Sequence, residues 1–318
     1  MMNIKFWGTR GSIPTPLTSV DIKQKIHQAL SGATGLDLTD PNVIQDYLDR
    51  LPFQVQGTIG GNTTCVEIRV DDQLLIIDAG SGVRLLGGDL MAQGYFKGGL
   101  QADFLITHTH WDHIHGFPFF GPAFIPGNQL TFHSPFADME DRLNRQQEEA
   151  FFPVDTKYMQ AEFLFNQLQP ETWHQIGKLR VYPMRLSHPG ETYGYRIETD
   201  SSCLVFASDS EYKRLNREST EAFVSFFQDA DLLIFDTQYS LTEVLDKPDW
   251  GHSSALMGAE LAHRAGVKQL MLFHHDPTSS DDKIFQAQEE AEAYLQRAYA
   301  EAHHCKISIA YEGLSIEI

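Results

Sequence analysis

The stretch LITHTHWDHIHG, residues 105–116, places four histidines and an aspartate within eight positions, directly after a short apolar strand. Side chains two residues apart in an extended segment point to the same side, so His108 and His110 can reach one ion. Asp112 and His113 follow where the chain leaves the strand and can reach a second ion nearby. Nitrogen and carboxylate donors suit zinc, and also iron or manganese. We therefore predict a metal site here rather than a polar loop.

Four residues do not complete two metal sites, so further ligands are expected at the ends of other strands. Three candidates follow apolar strands: His188 ends VYPMRLSH, Asp209 ends CLVFASD and His274 ends QLMLFH. A packed sheet can hold a side chain rigidly at such a position. For the last of these ligands two alternatives stay open, because His275 is the next residue and His252 is a further rival.

The composition restricts the partners of the chain. Its 318 residues include 24 Lys and Arg against 43 Asp and Glu, a formal charge of −19, which disfavours a long nucleic acid as ligand. No run approaches the roughly 18 apolar residues of a membrane span, and the N-terminus does not resemble a signal peptide. Three widely spaced cysteines, Cys65, Cys203 and Cys305, indicate reduced thiols. We expect a cytoplasmic protein without a membrane partner.

Strands and helices are interleaved in two batches, which predicts sheets covered by helices in one integrated domain, residues 1–318. Ser19 is the expected N-cap of the first helix, and Pro41 is expected in the first turn of the second. The predicted strands span 3–8, 63–70, 73–80, 103–107, 129–134, 178–188, 192–200, 203–209, 231–237 and 268–275, and a pair of strands is predicted within 306–318. The predicted helices span 19–31, 41–51, 138–149, 219–228, 253–265 and 281–303.

Several motifs carry a resemblance to a known family. HTHWDH matches the HxHxDH signature of the metallo-β-lactamase superfamily, and a later His, Asp and His complete its pattern. The segments FWGTRGSIP, GGNTTC, IIDAG, GYRIE, WGHSS and LFHHDP resemble the branch that holds ribonuclease Z and metal-dependent cyclic-nucleotide phosphodiesterases. The resemblance implies an α/β fold, a four-layer αβ/βα sandwich of two mixed sheets flanked by helices, with the site at one edge of both sheets.

The resemblance also implies a ligand set. Aspartate at 209 differs from the cysteine of true β-lactamases, and histidine at 110 differs from the glutamate of the iron-binding redox branch. Both departures favour a hydrolase with two divalent ions, zinc first and manganese or iron as alternatives. The family pattern assigns His108, His110 and His188 to the first ion, Asp112, His113 and His274 to the second, and Asp209 to both.

The function implied is hydrolysis of a small phosphodiester, such as a 3′,5′-cyclic nucleotide, by a hydroxide held between the ions. Asp112 is expected to orient that hydroxide. His252, in WGHSSA, is the candidate general acid, and Asp78, in IIDAG, is expected to hold a ligand histidine. The alternatives are a thioester or lactone hydrolase, and a tRNA 3′-processing endonuclease like ribonuclease Z. A non-catalytic binding module is disfavoured because no ligand is missing.

Two features have no assigned role. Relatives pass almost directly from GTRGSIP to GGNT, whereas here a helical insertion at about 17–57 intervenes. It is interpreted as a surface insertion or a subunit contact of a homodimer, with a lid over the site as the alternative. Phe117, Phe119 and Phe120 belong either to the core or to a surface that stacks a base, and His115 lines the pocket or faces solvent.

Overall fold

The computed structural model describes residues 1–212, 217–300 and 305–318, excluding the side chains of 217–219. Within these residues the strands form two mixed sheets of seven. The strands of the first sheet are β1 (Asn3–Gly8), β2 (Cys65–Val70), β3 (Gln73–Ile77), β4 (Gln101–Leu105), β5 (Gln129–Ser134), β6 (Glu162–Gln167) and β14 (Ser315–Glu317). Those of the second are β7 (His174–Ile176), β8 (Leu179–Leu186), β9 (Thr192–Glu198), β10 (Cys203–Ala207), β11 (Leu232–Asp236), β12 (Gln269–Phe273) and β13 (Lys306–Ile309).

The two sheets have the same mixed pattern. The first has the order β14-β1-β2-β3-β4-β5-β6, antiparallel from β14 to β3 and parallel from β3 to β6. The second has the order β13-β12-β11-β10-β9-β8-β7, parallel from β13 to β10 and antiparallel from β10 to β7. Parallel strands end at one edge of a sheet, so the residues after β3 and β4, and after β10, β11 and β12, gather at shared edges.

Helices cover the outer faces of both sheets. Helix α4 packs on the first sheet, and α9 and α10 pack on β11, β12 and β13 of the second. This arrangement confirms the predicted four-layer α/β sandwich. The helices are α1 (Ser19–Gly32), α2 (Pro41–Arg50), α3 (Phe53–Gln56), α4 (Val83–Ala92), α5 (Trp111–Ile114), α6 (Met139–Gln146), α7 (Arg217–Phe227), α8 (Leu241–Asp246), α9 (Ala255–Arg264) and α10 (Asp281–Tyr299).

The core lies between the two sheets. Strand β1 alternates, with Ile4 and Phe6 fully buried, whereas β10, β11 and the last four residues of β12 are buried on both faces, because helices cover their outer side. Phe6 and Phe206 both pack against Phe273, with ring centroids 6.0 and 5.6 Å apart. Each such side chain stabilises the fold by roughly 1.5–3 kcal/mol. This packing joins the sheets next to the edge where the site lies.

The predicted elements agree with the structure except at a few points. The N-cap of α1 is Thr18, one residue before the expected Ser19, and its side chain accepts from the amide of Asp21. Pro41 opens α2 as predicted. Strands β6 and β7 and helices α3, α4, α5 and α8 were not predicted. The predicted end of the last helix at 303, with His303 and His304, lies outside the described residues.

Residues 17–57 contain α1 and α2, in line with the two helices predicted there, and the short helix α3. Lys25 anchors α1, because its Nζ lies 2.9 Å from both the carbonyl oxygen of Gly57 and Oδ2 of Asp281 at the start of α10. The interpretation of this segment as an insertion within a single domain stays a prediction. Along the described part of the chain, no helix combines the length and apolarity that crossing a bilayer requires.

Candidate metal centre

Seven side chains of the predicted site lie together at one edge of the two sheets. Four of them follow β4, in the loop before α5 and in α5 itself. The other three follow β8, β10 and β12 of the second sheet, so each sheet supplies about half of the cluster. The seven are His108, His110, Asp112, His113, His188, Asp209 and His274.

A first group of nitrogen atoms converges on one point. Nδ1 of His110 lies 2.9 Å from Nε2 of His108 and 3.1 Å from Nε2 of His188. Burial lowers the pKa of all three imidazoles, and that of His108 falls well below its ordinary value. Neutral imidazoles that direct lone pairs at a shared point are the usual nitrogen ligands of a divalent cation.

A second group combines carboxylates and imidazoles. Oδ2 of Asp112 lies 3.3 Å from Nε2 of His113 and 3.2 Å from Nε2 of His274. Nε2 of His113 is buried and has no aligned hydrogen-bond partner among the described residues, although carboxylate oxygens are close. A nitrogen in that position fits a coordinating atom, so the residues present suit a cation.

Asp209 lies between the two groups and contacts both. Its Oδ2 is 3.8 Å from Nε2 of His108 and 3.9 Å from Nε2 of His188. Its Oδ1 is 3.2 Å from Nε2 of His113 and 3.3 Å from Nε2 of His274. One carboxylate oxygen therefore faces each group, which is the geometry that a bridging ligand requires.

The charges of the second group are strongly coupled. Burial opposes ionisation of Asp112 and Asp209, but His113 and His274 outweigh it and hold both pKa values well below the ordinary range. Burial likewise opposes protonation of the two imidazoles, but Asp209 and Asp112 raise the pKa of His274 to about 9 and that of His113 well above its ordinary value. Two buried carboxylates thus require compensating positive charge, which a bound cation can supply.

The outer nitrogens of the imidazoles are held by fixed acceptors. Nδ1 of His113 donates to Oδ2 of Asp78 at 2.7 Å, and both side chains are fully buried. Thr107 links Asp78 to His108, because its Oγ1 lies 2.7 Å from Asp78 Oδ2 and 3.1 Å from His108 Nδ1. Nδ1 of His188 donates to the carbonyl oxygen of Gly251 at 2.8 Å. These bonds leave Nε2 of each ring for the centre of the cluster.

Three residues of the site occupy strained backbone at strand ends. The φ angles of Asp78, Asp209 and His274 are +59°, +55° and +56°, in the left-handed region that L side chains rarely adopt. Each such residue costs on the order of 1–3 kcal/mol and persists only where the surroundings fix it. The turn at each strand end therefore directs a donor into the cluster at the expense of backbone stability.

Of the alternatives for the last ligand, His275 differs clearly from His274 in geometry. Nε2 of His275 is directed away from the cluster and donates to the carbonyl oxygen of Ala310 at 3.0 Å, while His274 faces Asp112 and Asp209. His252 lies beside the cluster, with donor atoms within 4.8 Å of those of His188 and Asp209, and its Nδ1 is 2.8 Å from Oδ2 of Asp236 at the end of β11. Its role as general acid rather than ligand therefore stays a prediction.

Three residues at the site were not predicted from sequence. In the sequence Asp236 belongs to the predicted buried strand DLLIFDT, and no spacing signal connects it with His252. The amide of Ser12 donates to Oδ2 of Asp112 at 2.7 Å. Gly11 lies so close to His274 that a Cβ atom there would be 2.5 Å from its Nδ1 and 2.7 Å from Oε1 of Gln238. Only the GTRGSIP resemblance pointed to Gly11 and Ser12.

An open pocket of about 420 Å³ gives access to the cluster and is lined by Ser12, Thr109, His110, Trp111, Asp112, His188, Asp209 and His252.

The three phenylalanines with two alternative roles differ in burial. Phe117 and Phe120 are fully buried in the core, whereas Phe119 is 55 % exposed. His115 is half-buried, with Nδ1 2.5 Å from the carbonyl oxygen of Trp111.

The family model for the beta-lactamase superfamily domain matches residues 75–275, which include every residue of the cluster. The chain belongs to this family. With its family membership and its cluster of metal-binding side chains, it is a metal-dependent hydrolase. The predicted resemblance to the metallo-β-lactamase superfamily is thereby confirmed.

Similar sequences include ribonucleases Z. That of Salinispora arenicola is 23 % identical over 70 % of this chain and 82 % of its own length. That of Prochlorococcus marinus is 24 % identical over 54 % and 69 %. An uncharacterised protein of Mycobacterium leprae is 32 % identical over 36 % of this chain, and the match spans 38 % of that relative.

Several solved structures share the fold. The metallo-beta-lactamase fold protein YhfI from Bacillus subtilis superposes with a TM-score of 0.64 at 19 % identity, over 100 % of this chain and 99 % of its own. Unliganded yeast PDE1 gives 0.61 at 16 % identity over 100 % and 99 %, and the short form of human tRNase Z gives 0.58 at 16 % over 99 % of both chains. Because these structures are no more than 19 % identical to this chain, the likeness shows a shared fold and nothing beyond it.

Proposed function

We propose that this protein is a dinuclear metal-dependent phosphodiesterase that hydrolyses a small phosphodiester, such as a 3′,5′-cyclic nucleotide. The observation that carries the proposal is the His252–Asp236 pair beside the cluster, with Nδ1 and Oδ2 2.8 Å apart. Such a pair can deliver a proton to a leaving group, which an alkoxide needs far more than a thiolate does. The pair therefore favours a phosphodiester over a thioester.

The proposed ligands follow the two groups of donors. His108, His110 and His188 would hold the first ion, Asp112, His113 and His274 the second, and Asp209 both. Zinc is the first choice for this nitrogen and carboxylate set, with manganese or iron as alternatives. When bound, two divalent cations would lower the pKa of a water and neutralise charge on phosphate oxygens.

The remaining roles fall to the protein. Asp112 would orient the attacking water, since the amide of Ser12 fixes its Oδ2 at 2.7 Å. Asp236 would hold Nδ1 of His252, so that Nε2 carries the proton given to the leaving oxygen. Asp78 would position His113 directly and His108 through Thr107.

Charge supports a small substrate. The chain carries a net charge of −19, whereas binding a long nucleic acid depends on neutralising many phosphates with Lys and Arg. The three buried, unpaired cysteines support a reducing, cytoplasmic setting. Val20, Ile26 and Leu30 on α1 are 71, 54 and 62 % exposed, which supports the interpretation of this helix as a subunit contact in a homodimer.

A second candidate is tRNA 3′ processing. It is supported by the ribonucleases Z among the similar sequences, three of which align over more than two thirds of their own length. The acidic composition argues against it. Turnover of a tRNA precursor in preference to cyclic nucleotides would favour this candidate over the first.

The test is metal analysis followed by a substrate panel. Purified protein is reconstituted with zinc or manganese and assayed on a 3′,5′-cyclic nucleotide, bis-p-nitrophenyl phosphate, a tRNA precursor, a thioester and a lactone. We expect about two ions per chain and turnover of both phosphodiesters. Turnover of the thioester without any phosphodiesterase activity would overturn the proposal.

A variant isolates the role of His252. His252→Ala should lower turnover of the cyclic nucleotide by roughly 10²- to 10⁴-fold. It should affect bis-p-nitrophenyl phosphate much less, because nitrophenolate leaves without a proton. His27→Ala, an exposed position on α1, is the matched control. An equal loss on both substrates, or loss of metal, would show that His252 is not the acid.

A further inference from the structure

A second pocket opens beside the metal-site pocket. Its volume is about 680 Å³, and both pockets share Thr109 and Trp111 as lining residues. Trp111 stands between the proposed ligands His110 and Asp112 in the chain, at the first position of α5. Any substrate held at the cluster therefore has this second pocket directly next to it.

The walls of this pocket are aromatic and exposed. Trp111 is 83 % exposed, Phe151 76 % and Phe119 55 %, and Phe119 meets Phe152 edge to face with ring centroids 5.5 Å apart. Large aromatic side chains grouped at a surface are unfavourable in water unless a ligand covers them. Their position suits a flat group that extends from the reacting phosphate.

Two guanidinium groups and one carboxylate, that of Glu148, line the pocket, and the arginines also contact Asp138 and Asp141 of their own helix. Arg142 lies over the ring of Phe136 at 4.0 Å, and its Nη1 donates to Oγ1 of Thr109 at 3.1 Å. Arg145 also lines the pocket. Aromatic rings together with guanidinium planes are the surfaces on which nucleobases stack.

We propose that this aromatic pocket binds the nucleobase of the substrate, and that Trp111, Phe119 and Phe151 select phosphodiesters that carry one. This inference rests on the proposed function, since it names the substrate class of the same site. Each aromatic contact should favour a substrate with a base over one without a base by roughly 10- to 100-fold, which is the effect of one base–aromatic stack.

Binding is measured first, independently of turnover. Adenosine 5′-monophosphate is titrated into the metal-reconstituted protein while tryptophan fluorescence is followed, with ribose 5-phosphate as the base-free probe. We expect saturable quenching by the nucleotide, lost in Trp111→Phe, and weaker binding of ribose 5-phosphate by at least tenfold. Equal affinity for the two probes overturns the pocket assignment, even if the protein hydrolyses phosphodiesters.

Turnover then tests selectivity. Phe151→Ala and Phe119→Ala should raise KM for adenosine 3′,5′-cyclic phosphate roughly 10- to 100-fold, with kcat retained. Turnover of a base-free ribose 3′,5′-cyclic phosphate should stay unchanged. Phe96→Ala, at an exposed aromatic outside the pocket, is the control. Unchanged KM in both pocket variants overturns the inference. Absent phosphodiester turnover with intact nucleotide binding instead overturns the proposed function alone.

Discussion

Nδ1 of His252 lies 2.8 Å from Oδ2 of Asp236, whose side chain is fully buried at the end of β11. Asp236→Asn keeps an acceptor for that nitrogen but removes the negative charge, so we expect turnover of a cyclic nucleotide to fall roughly 10- to 100-fold. Asp236→Ala should match His252→Ala, and the double variant should lose little more, because both act through one proton. Steady-state kinetics of the wild type, the two alanine variants and the double variant measure this coupling. If the losses of the two single variants add fully in the double variant, the two residues act independently.

Asp209 faces both groups of donors, so its removal affects both ions. Asp209→Ala should leave at most one ion per chain, because both groups lose the ligand that they share and each is left with three of its four ligands. Mass spectrometry of the desalted protein measures the stoichiometry. Asp200→Ala, at an exposed position between β9 and β10, should keep two ions. Retention of two ions by the Asp209 variant would refute the bridging role.

Asp78 acts on the ions through other residues. Asp78→Asn is nearly isosteric, but it weakens the hold on His113 Nδ1 and on Thr107. We expect the affinity for zinc to fall roughly 10- to 100-fold, as for other residues that orient a metal-binding histidine. Competition with a chromogenic chelator measures it. Unchanged affinity with an intact fold by circular dichroism would contradict the positioning role.

Gly11 is required by the position of His274. A Cβ atom there would lie 2.5 Å from Cε1 and Nδ1 of the ring, which is shorter than a van der Waals contact allows. Gly11→Ala must therefore displace the imidazole. We expect loss of the second ion while the fold is kept. Gly88→Ala on α4, where no atom lies within 4 Å, is the control and should stabilise the helix by up to about 1 kcal/mol. Metal content and thermal unfolding compare the two.

The three cysteines should be unreactive in the folded protein. Cys65, Cys203 and Cys305 are buried, and burial raises the pKa of Cys203 to about 12 and that of Cys305 to about 11. Since the thiolate is the reactive form, a disulfide reagent at pH 8 should modify none of them until denaturant is added. Rapid modification of the native protein would show that a cysteine is exposed.

The sequence predicted the fold class and the place of the cluster, because apolar strands that end in His or Asp are readable signals. It did not predict α4, since Gly87 and Gly88 weaken the helical pattern. It also missed β6, an edge strand with little burial. The pairing of Asp236 with His252 could not be predicted, because contacts between strand ends depend on which strands are neighbours in the sheet. The same holds for the contact of Gly11 with His274, which joins residues more than 260 positions apart.

The cluster takes four donors from the chain after β4 and three from the second sheet, and the rings of Phe6, Phe206 and Phe273 pack between the sheets behind it. Occupancy of the centre is therefore a reporter of docking between the two halves of the protein. A substitution far from any ligand that loosens this packing should release the ions before it unfolds either sheet. The affinity for the cations would then report how tightly the two sheets pack, even for substitutions that touch no ligand.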